Sequence, residues 1–157
     1  MVISIYGMPP LLLVIYTLAG GTLLAISANV MNQVLEVETD KLMERTSDRP
    51  IVTGELTKTN GIIYSISSGL IGFLILYFLV TPLSSFIGLA ANIFYVFIYT
   101  LILKPRTNQN IVIGGASGAA PVLIGWTATG SELETGPWVL FLFCLLYTSP
   151  SPRDGTS

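Results

Sequence analysis

The chain has 157 residues, of which 52% are hydrophobic and 10% charged, with no histidine and a net charge of -2; its mean hydropathy is +0.73. That balance excludes an ordinary soluble domain and predicts a protein folded in the lipid bilayer. The charge argues for neither a nucleic-acid nor a broadly acidic partner and none is expected, the missing histidines remove the commonest zinc and haem-iron ligand, and the single Cys144 permits no internal disulfide.

No Lys, Arg, Asp or Glu occurs in 1–34, 59–103 or 107–131, and a bilayer core needs about 20 apolar residues in a helix. Backbone groups in hydrocarbon must be paired within their own segment, so the expected fold is all-α, a multi-pass transmembrane bundle. The opening MVISIYGMPP carries no basic side chain, so no signal peptide is read there. The first helix is expected from Leu11 to Ala28, after Pro9 and Pro10, and to continue beyond the membrane into a polar segment. A second run, Gly61 to Val80, and a third, Phe86 to Leu103, are separated by Thr81 and Pro82 and suggest an antiparallel hairpin. A fourth runs from Ile111 to Thr129; a fifth, from Trp138 to Tyr147, is too short to cross. Residues 1–147 thus read as about four spanning helices and a truncated fifth. The ending TSPSPRDGTS breaks the pattern, and 148–157 is expected to be an unstructured, non-native tail. Lys41, Arg45, Arg49 and Lys58 lie in one connection and Lys104 and Arg106 in another two helices later, whereas the intervening turns carry no base. The positive-inside rule puts both loops on the cytoplasmic or matrix face.

The charged stretch NQVLEVETDKLMERTSDRP spans residues 32–50. If the first helix continues through it, Asn32, Glu36 and Asp40 fall at i, i+4 and i+8 and share an arc of about 80°. Like-charged carboxylates one turn apart repel unless something cationic sits against them. Mg²⁺ suits that role, because it takes oxygen ligands and bridges carboxylates to substrate phosphates. Arg45 and Arg49, with Lys104 and Arg106 on the other loop, are candidate phosphate binders. A charged loop that merely sets topology, its acids and bases paired in solvent, accounts for the same charges, and spacing alone does not choose between the two.

The same stretch resembles the first acidic motif of the UbiA prenyltransferase superfamily, in which N-x3-[DE]-x3-D runs into M-x-R-T-x-x-R-P. A second block, LKPRTNQNIVIGGASGAAPVLIGWTATG, is similar to the loop and following helix of the haem-modifying branch; the likeness extends from about Leu11 to Phe143. It implies an enzyme that transfers farnesyl from farnesyl diphosphate to a vinyl group of protohaem IX (haem b), giving haem O, in a bacterial plasma membrane or mitochondrial inner membrane. Mg²⁺ would be held near Asn32, Glu36 and Asp40, with Arg45, Lys104 and Arg106 stabilising the departing diphosphate. Arg49 is a substrate-binding candidate or a residue that fixes the loop beside Pro50; Thr107 and Asn110 either donate to phosphate or cap a helix. Asn92, a polar group in mid-membrane, must bond a neighbouring helix or line the pocket.

For Gly114, Gly115 and Gly118, close helix packing is the preferred reading, Pro121 is expected to bend its helix beside a cavity or another helix, and Trp126 suits an interfacial anchor better than a substrate-stacking residue. The family has nine transmembrane helices and a second acidic motif, which this sequence lacks; Pro105 also stands where another base is usual, and APV where a Pro pair is common. The chain is therefore expected to be inactive alone. Rival readings are a superfamily member acting on a quinone precursor or chlorophyll-like ring, and a non-enzymatic helical bundle.

Overall fold

A computed structural model describes residues 8–42, 44, 47–97, 110–130 and 132–148. All regular structure in these residues is helical: α1 (Leu11–Leu35), α2 (Val37–Asp40), α3 (Pro50–Thr53), α4 (Lys58–Leu79), α5 (Pro82–Ile93), α6 (Asn110–Thr127) and α7 (Thr135–Thr148). Two of them, α1 and α4, are long and apolar enough to cross a membrane; Pro82–Phe97, Gly118–Thr127 and Thr135–Tyr147 are shorter apolar segments. Of the expected tail, 148–157, Thr148 closes α7 and is helical, and 149–157 lie outside the described residues.

Small residues decide how the long helices meet. A Cβ on Gly20 would lie 2.7 Å from Leu76, one on Gly72 2.8 Å from the Gly20 carbonyl, and one on Gly61 2.8 Å from Val34. Pairs whose numbers rise on one helix as they fall on the other mark α1 and α4 as antiparallel, with backbones in near contact. Ser65 donates to the Ser27 carbonyl across the same seam at 2.8 Å. Such bonds matter in lipid because packing, not hydrophobic burial, holds helices together there.

Thr81 and Pro82 reverse the chain as expected, and Phe86 returns against Phe73 and Tyr77 with ring centroids 5.8 and 6.3 Å apart. The third helix starts at Pro82, earlier than the apolar run suggested, because Thr81 Oγ1 accepts from the Ser84 N–H at 3.2 Å and proline suits the first turn. Antiparallel to α5, α6 is tied to it by a fully buried polar knot: Ser84 and Thr127 hydroxyls lie 2.9 Å apart, and Thr81 donates to the Thr127 carbonyl at 3.0 Å. Leu24, Leu76 and Ile124 form the apolar core where α1, α4 and α6 converge.

Candidate functional site

The acidic segment begins where α1 ends. Glu36 leaves helical geometry slightly (φ -99°, ψ 8°), yet the turn-to-turn ladder continues: its N–H donates to the Asn32 carbonyl at 3.0 Å, and the Asp40 N–H donates to the Glu36 carbonyl at 2.8 Å. Asn32, Glu36 and Asp40 are therefore stacked one turn apart, as their spacing required. All three are buried, with exposures of 6%, 8% and 3%. That burial separates them from a solvated topogenic loop, because an acid removed from water needs compensating partners. Asp40 has one in Arg49, whose Nη1 donates to Oδ2 at 2.6 Å.

Arg49 is held there by its neighbours. It immediately precedes α3, with Pro50 opening the helix and Gly54 ending it at φ 86°, a left-handed conformation that glycine adopts without strain. Ile51 of α3 packs against Val34 and Val37, so the short helix is stapled to the end of α1 and brings the guanidinium to Asp40. In this structure Arg49 fixes the loop and braces a column carboxylate. Exposed Glu38 takes the other bases, with Lys41 at 3.3 Å and Lys58 at 3.6 Å. The hydrogen bond and charge of Lys41, then the weaker influence of Lys58, lower the Glu38 carboxyl below its ordinary 4.5. The solvated-loop reading describes this outer face of α2, not the inner one.

Along α1, Gly21, Ala25, Ala28 and Asn29 line a cavity of about 290 Å³ that is completed by Ala91 and Asn92 of α5, Tyr95 just beyond it, and Gly118 and Pro121 of α6. Asn29 lies three residues before Asn32, so cavity wall and acidic column share one helical face. Asn92 does both things expected of it, lining the cavity and donating to the Leu24 carbonyl at 2.9 Å. Pro121 also borders the cavity, as a proline in a membrane helix requires. Asn29 and Tyr95 were missed in the sequence, although each falls three residues from a residue already singled out.

Two expectations need correction. Gly118 does not pack closely: a Cβ there would meet nothing within 4 Å, and the residue opens onto the cavity. Trp126 is no interfacial anchor, being only 8% exposed, with its ring 3.1 Å from where a Gly136 Cβ would stand. Its Nε1 has no partner among the described residues. Arg45, Lys104, Arg106 and Thr107 lie outside the described residues; Asn110 starts α6.

An oxygen-donor set of two carboxylates and an amide fits Mg²⁺, which typically takes one or two protein carboxylates and completes its shell with phosphate oxygens and water. Among the described residues no three His, Cys, Asp or Glu side chains cluster to hold a metal by themselves.

The UbiA prenyltransferase family model matches residues 1–152. Similar curated proteins are protoheme IX farnesyltransferases from Renibacterium salmoninarum (42% identity, 96% of this chain, 47% of the relative), Paenarthrobacter aurescens (45%, 96% and 47%) and Pseudarthrobacter chlorophenolicus (46%, 92% and 45%). The chain spans about half the length of these relatives. No solved structure matches it.

Proposed function

Because the chain belongs to the UbiA prenyltransferase family, we propose that it supplies the first acidic site and an apolar substrate channel of a membrane enzyme that farnesylates protohaem IX to make haem O. The observation carrying this reading is the face shared by α1 and its continuation through Glu36 into α2, on which buried Asn32, Glu36 and Asp40 extend the wall of an apolar cavity. A diphosphate needs the first feature and an isoprenoid chain the second. The protohaem acceptor rests on the names of the relatives and on the two sequence blocks, as does the expectation that a second acidic motif completes the site.

In this reading Asn32 and Glu36 present oxygen donors, and Asp40, braced by Arg49, presents a third. Mg²⁺ bound there would neutralise the diphosphate and assist its departure. Arg45, Lys104 and Arg106 would receive the growing negative charge, with Thr107 and Asn110 as neutral donors. The C1–O bond of farnesyl diphosphate breaks with both electrons leaving on the diphosphate. The vinyl group supplies the pair for the new carbon–carbon bond, and water adds to the resulting cation and releases a proton. Meanwhile the cavity keeps bulk water from the allylic cation, and the Tyr95 ring offers it an electron-rich face. The basic loops are assigned to the cytoplasmic face by their charge.

Binding of farnesyl thiolodiphosphate, a non-reacting analogue, tests the site without turnover. Glu36→Gln and Asp40→Asn should each weaken Mg²⁺-dependent binding about 10- to 100-fold, the loss expected for a charged contact of roughly 1.5–3 kcal/mol. Unchanged binding in both variants would remove the acidic column from the site.

A further inference from the structure

We infer that the end of the cavity remote from the acidic column, formed by Gly21, Leu24, Gly88 and Ile124, sets the length of isoprenoid chain that the protein accepts. The inference rests on the prenyl-diphosphate reading above and adds a specificity determinant to it. Asn29 is the lining residue of α1 nearest the column; Asn92 is tied to the Leu24 carbonyl at 2.9 Å, and beyond that bond the lining residues Gly21, Leu24, Gly88 and Ile124 are all apolar. A diphosphate held at Asn32 and Glu36 therefore directs its chain down α1 toward Gly21. Those eleven residues from Asn32 to Gly21 rise about 16 Å, room for a few isoprene units.

One side of the remote end is rigid. Leu24 is 4% and Ile124 8% exposed, both packed on a fully buried Leu76. Gly88 permits that approach, since a Cβ there would lie 2.6 Å from Leu24 Cδ1 and 3.6 Å from Ile124 Cδ1. Leu76 cannot retreat, because it already sits where a Gly20 Cβ would be, at 2.7 Å. The other side is open: among the described residues, a Cβ on Gly21 would meet nothing within 4 Å. Close-packed side chains thus stop the chain on one side, and a missing side chain leaves it space on the other. Adding atoms at Gly21 should shorten the accepted chain, whereas removing them at Leu24 should lengthen it.

The test compares geranyl, farnesyl and geranylgeranyl thiolodiphosphates binding to the detergent-solubilised full chain with Mg²⁺. Gly21→Val should shift the geranyl-to-farnesyl affinity ratio toward geranyl by about tenfold or more, and Leu24→Ala should relieve discrimination against geranylgeranyl by a similar factor. If both variants keep the wild-type length preference while still binding farnesyl, the inference is overturned and the diphosphate site stands. If Leu24→Ala does not fold, Gly21→Val decides, because a Cβ at Gly21 meets nothing within 4 Å among the described residues. Failure of every analogue to bind the wild-type chain, or binding indifferent to Glu36→Gln, overturns the site reading and this inference with it.

Discussion

Asp40 and Glu38, two residues apart on α2, show how burial sorts identical chemistry. Asp40 faces inward at 3% exposure and accepts a short bond from Arg49; Glu38 faces water and pairs with two lysines. Arg49→Gln would leave a buried carboxylate without its guanidinium, costing roughly 1.5–3 kcal/mol in an unfolding titration. It should also weaken Mg²⁺ binding, and Arg49→Lys should restore only part of either loss, since a lysine lacks the fixed fork. Glu38 makes a contrasting case. Its lowered carboxyl means that the lysine contacts favour the fold above the ordinary value and that this contribution disappears as pH falls through the lowered one. A carboxyl-carbon titration should place its midpoint below 4.5 and see it rise in Lys41→Met; the exposed pairs should weaken with salt.

Among the helices, the closest approach belongs to α1 and α4, and glycines set it. A side chain at Gly72 would strike the Gly20 carbonyl at 2.8 Å and the Leu24 N–H nitrogen at 3.0 Å, and backbone cannot step aside as a rotamer can. Gly72→Ala should therefore cost about 1–3 kcal/mol by forcing the helices apart, while Gly21→Ala on the neighbouring face should be neutral or better, having nothing within 4 Å and a stronger helix former. Thermal melts of the two variants in one detergent would separate them. Gly20 and Gly21 are indistinguishable in sequence; only the partner across the seam makes one a packing residue and the other a cavity residue.

At the scale of the whole molecule, α1 and α5 run toward the acidic end and α4 and α6 start there, as the antiparallel pairings show. The helix ends that flank both basic connections consequently lie at one end of the bundle, and the α6–α7 turn with Glu132 and Glu134 lies at the other. In a Cys144→Ser background, Glu44→Cys and Gln109→Cys should react with an impermeant thiol reagent from the same side of the membrane and Glu134→Cys from the opposite side. Labelling of all three from one side would break the proposed topology.

Much of this arrangement was legible in the residues because it follows from short-range rules. Apolar runs free of charge located the helices, of which α1 and α4 are long enough to cross a membrane, Thr81 with Pro82 marked the hairpin, and four-residue spacing placed Asn32, Glu36 and Asp40 in one column. Those inferences need only helical periodicity and the cost of charge in lipid. Gly118 and Trp126 defeated the same reasoning, since whether a glycine closes a seam or opens a cavity, and whether an indole meets lipid or a neighbouring helix, depends on which surface lies opposite. Residue order alone gave the all-helical membrane class and the two long apolar helices, and it nominated the ligands; tertiary packing brought Arg49 to Asp40 and put Asn29 and Tyr95 in the wall of a cavity beside the column. Contacts between residues far apart in the chain are set by packing, which no local periodicity encodes.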